Sequence, residues 1–118
     1  MESVLREKSY AFAIRIVNLY RYLCTDKKEF ILSKQILRSG TAIGALVREA
    51  EYGQSRLDFI HKLSIALKEA NETEYWLMLL KDTEFLTLES FESIQPEITE
   101  LIKLLIASIK TAKKRVKA

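Results

Sequence analysis

The chain has 118 residues, 48% of them apolar and 30% charged, which is the composition of one globular domain with enough apolar material for a core. Three Gly and one Pro are too few turn formers for a sandwich or barrel of short strands, and a single Cys excludes an internal disulfide framework and fits a reducing compartment. The net charge is a modest +3, the first eight residues hold no apolar signal-peptide region, and the longest apolar run, Tyr75 to Leu80, is too short to span a bilayer, so a soluble, cytoplasmic protein is expected.

Four amphipathic helices are predicted, at about 9–24, 30–52, 56–83 and 91–113. In the first, Phe12, Ile16, Leu19 and Leu23 recur at helical spacing and mark one face. Tyr10 lies well off that seam and Ile14 almost opposite it. In the second, Leu32, Ile36, Ile43, Val47 and Ala50 share a side, and Gly53 is placed as the C′ residue. Its far face carries Lys34, Arg38, Thr41, Ala45 and Arg48, a row of cations and small residues suited to a phosphate backbone, or a solvated face balanced by Glu49 and Glu51. Gly40 and Gly44 each cost about 1 kcal/mol of helix propensity, a cost that close helix packing within or between subunits would offset.

Ser55 with Asp58 reads as an N-cap followed by an acid in the first turn of the third helix. Phe59, Leu63, Ala66, Ala70, Thr73, Leu77 and Leu80 then step by four and three without a break. Tyr75 and Leu79 fall opposite or nearly opposite this seam, with Trp76 and Met78 on its flanks. Apolar residues in such excess mark an interface, so Tyr10, Ile14, Gly40, Gly44, Tyr75, Trp76 and Leu79 are the expected oligomer contacts. The fourth helix has Ile94, Ile98, Leu101, Leu105 and Ala112 as its seam, with Pro96 either in the first turn or kinking a helix that starts nearer Ser90. Short connections between four such helices predict an all-α, antiparallel up-down bundle in a single domain.

Residues 110–118 hold Lys110, Lys113, Lys114, Arg115 and Lys117 and no acid. Without these five of its 19 basic residues the chain carries 14 against 16 acidic ones, so the basic character belongs to the C-terminal end. With Arg38 and Arg48 these residues form the candidate nucleic-acid contacts, while cations closing a helix are also the simple complement of its dipole. Catalytic candidates are few. One His and one Cys supply neither a common zinc site nor a di-iron bundle, Gly40 and Gly44 lack the Lys and Ser/Thr of a phosphate loop, and Cys24 reads as a small packing residue; no cofactor or metal is expected.

The blocks Ser9 to Val17, Lys34 to Ala45, Asp58 to Ala66, Lys68 to Leu77 and Ser108 to Thr111 together resemble a family of bacterial four-helix bundles that includes the proteins encoded within intervening sequences of 23S ribosomal RNA genes. The resemblance implies a ring-like homopentamer. It also implies a distant relation to accessory proteins of diversity-generating retroelements, which are basic pentamers that bind nucleic acid and partner a reverse transcriptase. Two positions depart from the family pattern: Ala42 stands where Ser is frequent and Leu46 where Asn is frequent. Separately, Arg56 and His61 resemble the Arg-x4–6-His pair of helical ribonucleases of the HEPN superfamily, in which His transfers protons and Arg stabilises phosphate charge.

The reading that results is a non-enzymatic oligomer that binds RNA or DNA through basic surfaces. Its alternatives are a structural adaptor for a protein partner and a nuclease built on Arg56 and His61.

Overall fold

The computed structural model describes residues 2–117, and the side chains of residues 4–116. It contains four helices and no strand among the described residues: α1 (Glu2–Thr25), α2 (Leu32–Glu51), α3 (Arg56–Asp82) and α4 (Leu88–Lys117). α2 packs on α1 and α3, and α4 packs on α3 and more sparsely on α1. No diagonal pair touches, so the helices stand at the corners of a square in up-down order, in a rod of 51 × 21 × 19 Å.

The seams read from periodicity are the core. Phe12, Ile16, Leu23, Ile36, Ile43, Leu63, Ala66, Ala70, Leu77, Leu80, Ile98, Leu101 and Leu105 are all buried. α1 begins at residue 2 rather than about 9, because Leu5 prolongs the seam two turns before Phe12 and is itself buried. α4 begins at 88 rather than about 91, because the Thr87 hydroxyl accepts from the Ser90 N–H at 3.0 Å and Glu89 fills the first turn. Pro96 is therefore inside the helix; its ring and Glu92 are both exposed, so water can reach the Glu92 carbonyl that lacks an N–H partner.

The connections use little glycine. α3 closes with Glu84 in the left-handed region (φ 67°), its N–H on the Lys81 carbonyl and the Phe85 N–H on Leu80, which is a Schellman ending made without glycine. Lys28 is also left-handed (φ 55°) in the α1–α2 connection, where the Glu29 N–H reaches back to the Leu23 carbonyl at 2.9 Å. Gly53 does take the position after the C-cap of α2, but with no positive φ. Space is tight there: a Cβ would stand 3.1 Å from the Ala50 carbonyl oxygen and 2.8 Å from Asp58 Oδ2, of which only the carboxylate can swing away.

Gly40 and Gly44, expected at an interface between copies, both have a packing reason within the chain; Gly40 is buried, while Gly44 is half-buried at the α1–α2 surface. A Cβ on Gly40 would lie 2.8 Å from Ile16 Cγ1 and 2.9 Å from Cγ2, and one on Gly44 3.3 Å from the Ser9 carbonyl oxygen. Both glycines let α1 approach α2. Both γ carbons of Ile16 branch directly from its Cβ and cannot swing aside, so Gly40→Ala loses more by overpacking than the roughly 1 kcal/mol it gains in helix propensity. We expect it to lower the urea unfolding free energy by about 1 kcal/mol; an unchanged or raised value would show that α1 yields freely.

α2 starts under an acidic cap supplied from outside the helix. Burial pushes the Glu29 carboxyl up, but hydrogen bonds from the backbone N–H groups of Leu32, Ser33 and Ile31 and from the Ser33 hydroxyl outweigh this and lower its pKa. A depressed carboxyl contributes stability that is complete above its unfolded pKa and is lost as the pH falls through the folded one. Glu29→Ala should cost about 1 kcal/mol at neutral pH and progressively less as the pH falls through the lowered folded pKa. Equal losses at neutral and acidic pH in denaturant titrations would contradict the cap.

Candidate nucleic-acid interface

The last turns of α4 carry Lys110, Lys113, Lys114 and Arg115, all exposed. Ile109 and Ala112 are buried between them, so these cations stand on a helix docked to the bundle rather than on a loose tail beyond residue 113. Lys117 ends the helix, and its side chain lies outside the described residues.

The up-down order brings this end of α4 to the same end of the rod as the α2–α3 turn. Arg48, Tyr52, Arg56 and His61 are all exposed there. The ion pairs among the described residues join Arg6 to Glu51, Lys8 to Glu100, Arg15 to Glu97, Arg38 to Glu69 and Glu72, Lys62 to Glu49 and Lys81 to Asp82. None of them uses Arg48, Arg56, Lys110, Lys113, Lys114 or Arg115. At the opposite end Glu84, Glu89 and Glu92, together with Arg21, Lys27, Lys28 and Lys34, are exposed and likewise outside these pairs.

The basic stripe of α2 has the expected faces but not the expected electrostatics. Lys34, Arg38, Ala45 and Arg48 are exposed and Thr41 half-buried. Arg38, however, reaches across to α3, with Nη1 donating to Glu69 Oε1 at 3.1 Å and Nη2 donating to Glu72. Glu72 also accepts from Trp76 Nε1 at 2.9 Å. Two carboxylates on one guanidinium leave this cluster net negative, so Arg38 acts as a clamp between α2 and α3 and offers no free cation. The Glu49 and Glu51 that sequence set against the stripe serve Lys62 and Arg6 instead. Ala42 and Leu46, the two departures from the family pattern, are half-buried, and Leu46 packs on the core.

Among the apolar candidates, Tyr10 and Ile14 are exposed one turn apart on α1. On α3, Tyr75 is exposed and meets Trp76 edge-on with ring centroids 5.0 Å apart, while Trp76 and Leu79 are half-buried. Met78, read from sequence only as a flank, is exposed beside Tyr75. A groove of about 240 Å³ between α1 and α2 is lined by Tyr10, Ala13, Gly44 and Ala45. Sequence reasoning missed Phe30, Ile31 and Leu88, which are exposed at the α1–α2 and α3–α4 connections. It also missed Tyr52, whose one signal was its place between the last seam residue, Ala50, and Gly53.

Arg56 and His61 do not converge. Five residues apart on one helix, their side chains point about 140° away from each other. Arg56 borders a small cleft with Gly53 and Phe59 that does not include His61. Cys24 is half-buried with Sγ 3.7 Å from Ser33 Oγ. Among the described residues no three His, Cys, Asp or Glu side chains stand together as a metal site, and no helix is long and apolar enough to cross a membrane.

Fold and surface together define an antiparallel helical bundle whose polar features are segregated surface charges rather than a converging set of reactive groups. The chain belongs to the 23S rRNA-intervening sequence protein family, whose model matches residues 1–107. It is similar to a protein of unknown function from the S23 ribosomal protein family of Bacteroides thetaiotaomicron VPI-5482, whose crystal structure was solved at 1.70 Å. The two share 63% identity over 92% of this chain and 97% of the other, with a TM-score of 0.91. Comparison with curated proteins gave no match. The family match contains Arg38, Arg48, Arg56 and His61 but stops before Lys110.

Proposed function

We propose that this protein is a non-enzymatic homo-oligomer that binds nucleic acid through the end of the rod formed by the α4 C-terminus and the α2–α3 turn. The observation that carries the reading is the presence toward that end of Arg48, Arg56, Lys110, Lys113, Lys114 and Arg115, none of them in an ion pair among the described residues. Cations left without acids release counterions when phosphates take their place, which drives binding that is strong at low salt and weakly selective. The family's connection with 23S rRNA genes is consistent with an RNA or DNA ligand.

Self-assembly is supported by the apolar surface. α1 and α3 are diagonal in the bundle, so Tyr10 and Ile14 face away from Tyr75 and Met78. Two unlike apolar patches on opposite sides suit a head-to-tail contact, which gives a ring where the rotation between copies closes, rather than a two-fold contact that uses one patch twice. The small-residue groove beside Tyr10 offers a seat for an aromatic of the next copy. This accords with the ring-like pentamer that the family resemblance implies. The adaptor reading is favoured by Phe30, Ile31 and Leu88, which lie on the other end and outside these patches.

The first test is RNA-binding anisotropy of the purified protein across a salt series. Replacing Lys110, Lys113, Lys114, Arg115 and Lys117 by Gln should weaken binding and flatten the dependence of log K on log salt by up to about 0.7 per cation removed on a single strand. Arg38→Gln should leave that slope unchanged. No binding by the native protein at low salt, with capture of a protein through Phe30 and Ile31, would replace this reading by the adaptor.

Sedimentation tests the assembly. The native protein should sediment as a ring of several 13.7 kDa chains, and Ile14→Glu and Tyr75→Glu should each yield monomers. Mixing the two variants should restore a one-to-one pair, because each retains the face the other lacks. A native monomer, or a mixture that stays monomeric, would overturn the head-to-tail arrangement.

A further inference from the structure

The C-terminal turns of α2 and the first turns of α3 enclose an open cleft of about 990 Å³, lined by Arg48, Tyr52, Gln54 and Lys62 among others. Tyr52 is the most exposed of the large apolar side chains described, at 84%, although it directly follows the last turn of α2. Its ring belongs neither to the core nor to the apolar side chains packed against it. Beside it stands Arg48, without an ion pair. The two acids of the cleft are already engaged: Glu49 is bonded to Lys62 at 3.1 Å, and Asp58 lies in the first turn of α3, where the helix N-terminus favours negative charge.

We infer that this cleft is a stacking site for an unpaired base, and that the nucleic acid bound by the protein is single-stranded. An exposed aromatic face beside a free guanidinium is the pairing that single-strand binders use, the ring taking the base and the cation the neighbouring phosphate. A duplex hides the faces of its bases inside the stack and could meet Arg48 but not Tyr52. The Gln54 amide, also exposed in the cleft, offers a donor and an acceptor to a base edge. The cleft and the cationic turns of α4 lie on the same end of a rod 21 × 19 Å across, so one strand crossing that end can use both. Stacking accepts every base, which fits a surface with no element for reading a groove.

The inference rests on the nucleic-acid reading above, and its experiment separates the two. Anisotropy is measured on a single-stranded RNA, a single-stranded DNA and a duplex of the same sequence, with the native protein, Tyr52→Ala, Tyr52→Phe, Arg48→Ala and the variant lacking the α4 cations. The native protein should prefer the single strands to the duplex by about tenfold. Tyr52→Ala should bring single-strand affinity down to the duplex level with an unchanged salt slope, and Tyr52→Phe should retain the preference. Arg48→Ala should lower the slope on single strands by about 0.7. Equal native affinity for single strand and duplex, or a preference that survives Tyr52→Ala, overturns the stacking site while leaving binding by the α4 cations intact. Absence of binding to any of the three overturns both.

Discussion

Where α2 passes between its neighbours it is held at very short range on both sides. Gly40 lies under Ile16 of α1, and the adjacent Ser39 is buried with its hydroxyl accepting from Thr73 Oγ1 of α3 at 2.9 Å. The two contacts act differently. The first allows a close approach and fixes the distance between helices; the second satisfies polar groups that would be costly if left alone, and so fixes the axial register. Thr73 occupies a seam position where an apolar residue would fill the space but would pair with nothing at Ser39. One register places Arg38 against Glu69 and Glu72, Lys62 against Glu49, and Arg48 with Tyr52 at the end of the rod.

Charge then sorts according to that register. Among the described residues Arg6, Lys8, Arg15, Arg38 and Lys62 find acids, while the cations of the α4 end find none, and neither do Arg21, Lys27, Lys28 and Lys34 toward the other end. The helix dipole accounts for part of this, since cations close to a helix C-terminus are stabilised by it. That effect fades beyond the last turn, however, and Lys110 stands about two turns before the end of α4. A dipole argument therefore accounts for Arg48, in the last turn of α2, but leaves Lys110 unexplained.

The seams were legible because a bundle core follows a period that the sequence displays directly. Leu63, Ala66, Ala70, Thr73, Leu77 and Leu80 were assigned one by one and are buried. The starts of α1 and α4 were missed for local reasons. Leu5 is separated from Phe12 by the buried Ser9 at the intervening seam position, and the Thr87 cap is followed by a Ser rather than the Glu or Gln of a capping box. Helix ends using Lys28 and Glu84 in the left-handed region leave no glycine signal at all. Partner-dependent properties were not legible. Arg38 looks free along its own helix and is neutralised by residues 31 and 34 positions away, while the direction in which Gly40 faces depends on where α1 lies. Tyr52 belongs to neither class, since its meaning comes from its exposure.

Symmetry decides how much a modest basic patch can achieve. Copies joined head to tail in a closed ring are related by rotation about one axis, so each presents the same end of its rod toward the same face. The α4 cations and the Tyr52 cleft of every copy would then line that single face, and the end of mixed charge with Glu84, Glu89, Glu92, Lys27 and Lys28 would line the other. A strand bound at one copy is held near the next at high effective concentration, so contacts that are weak singly combine without any new interaction. A two-fold dimer would direct its two basic ends toward a common strand only in a parallel arrangement, which two-fold contacts along antiparallel rods do not give. The unlike apolar patches of α1 and α3 thus bear on the nucleic-acid proposal as much as on the proposed assembly, because a ring built through them would turn one charged end of a small bundle into a continuous surface.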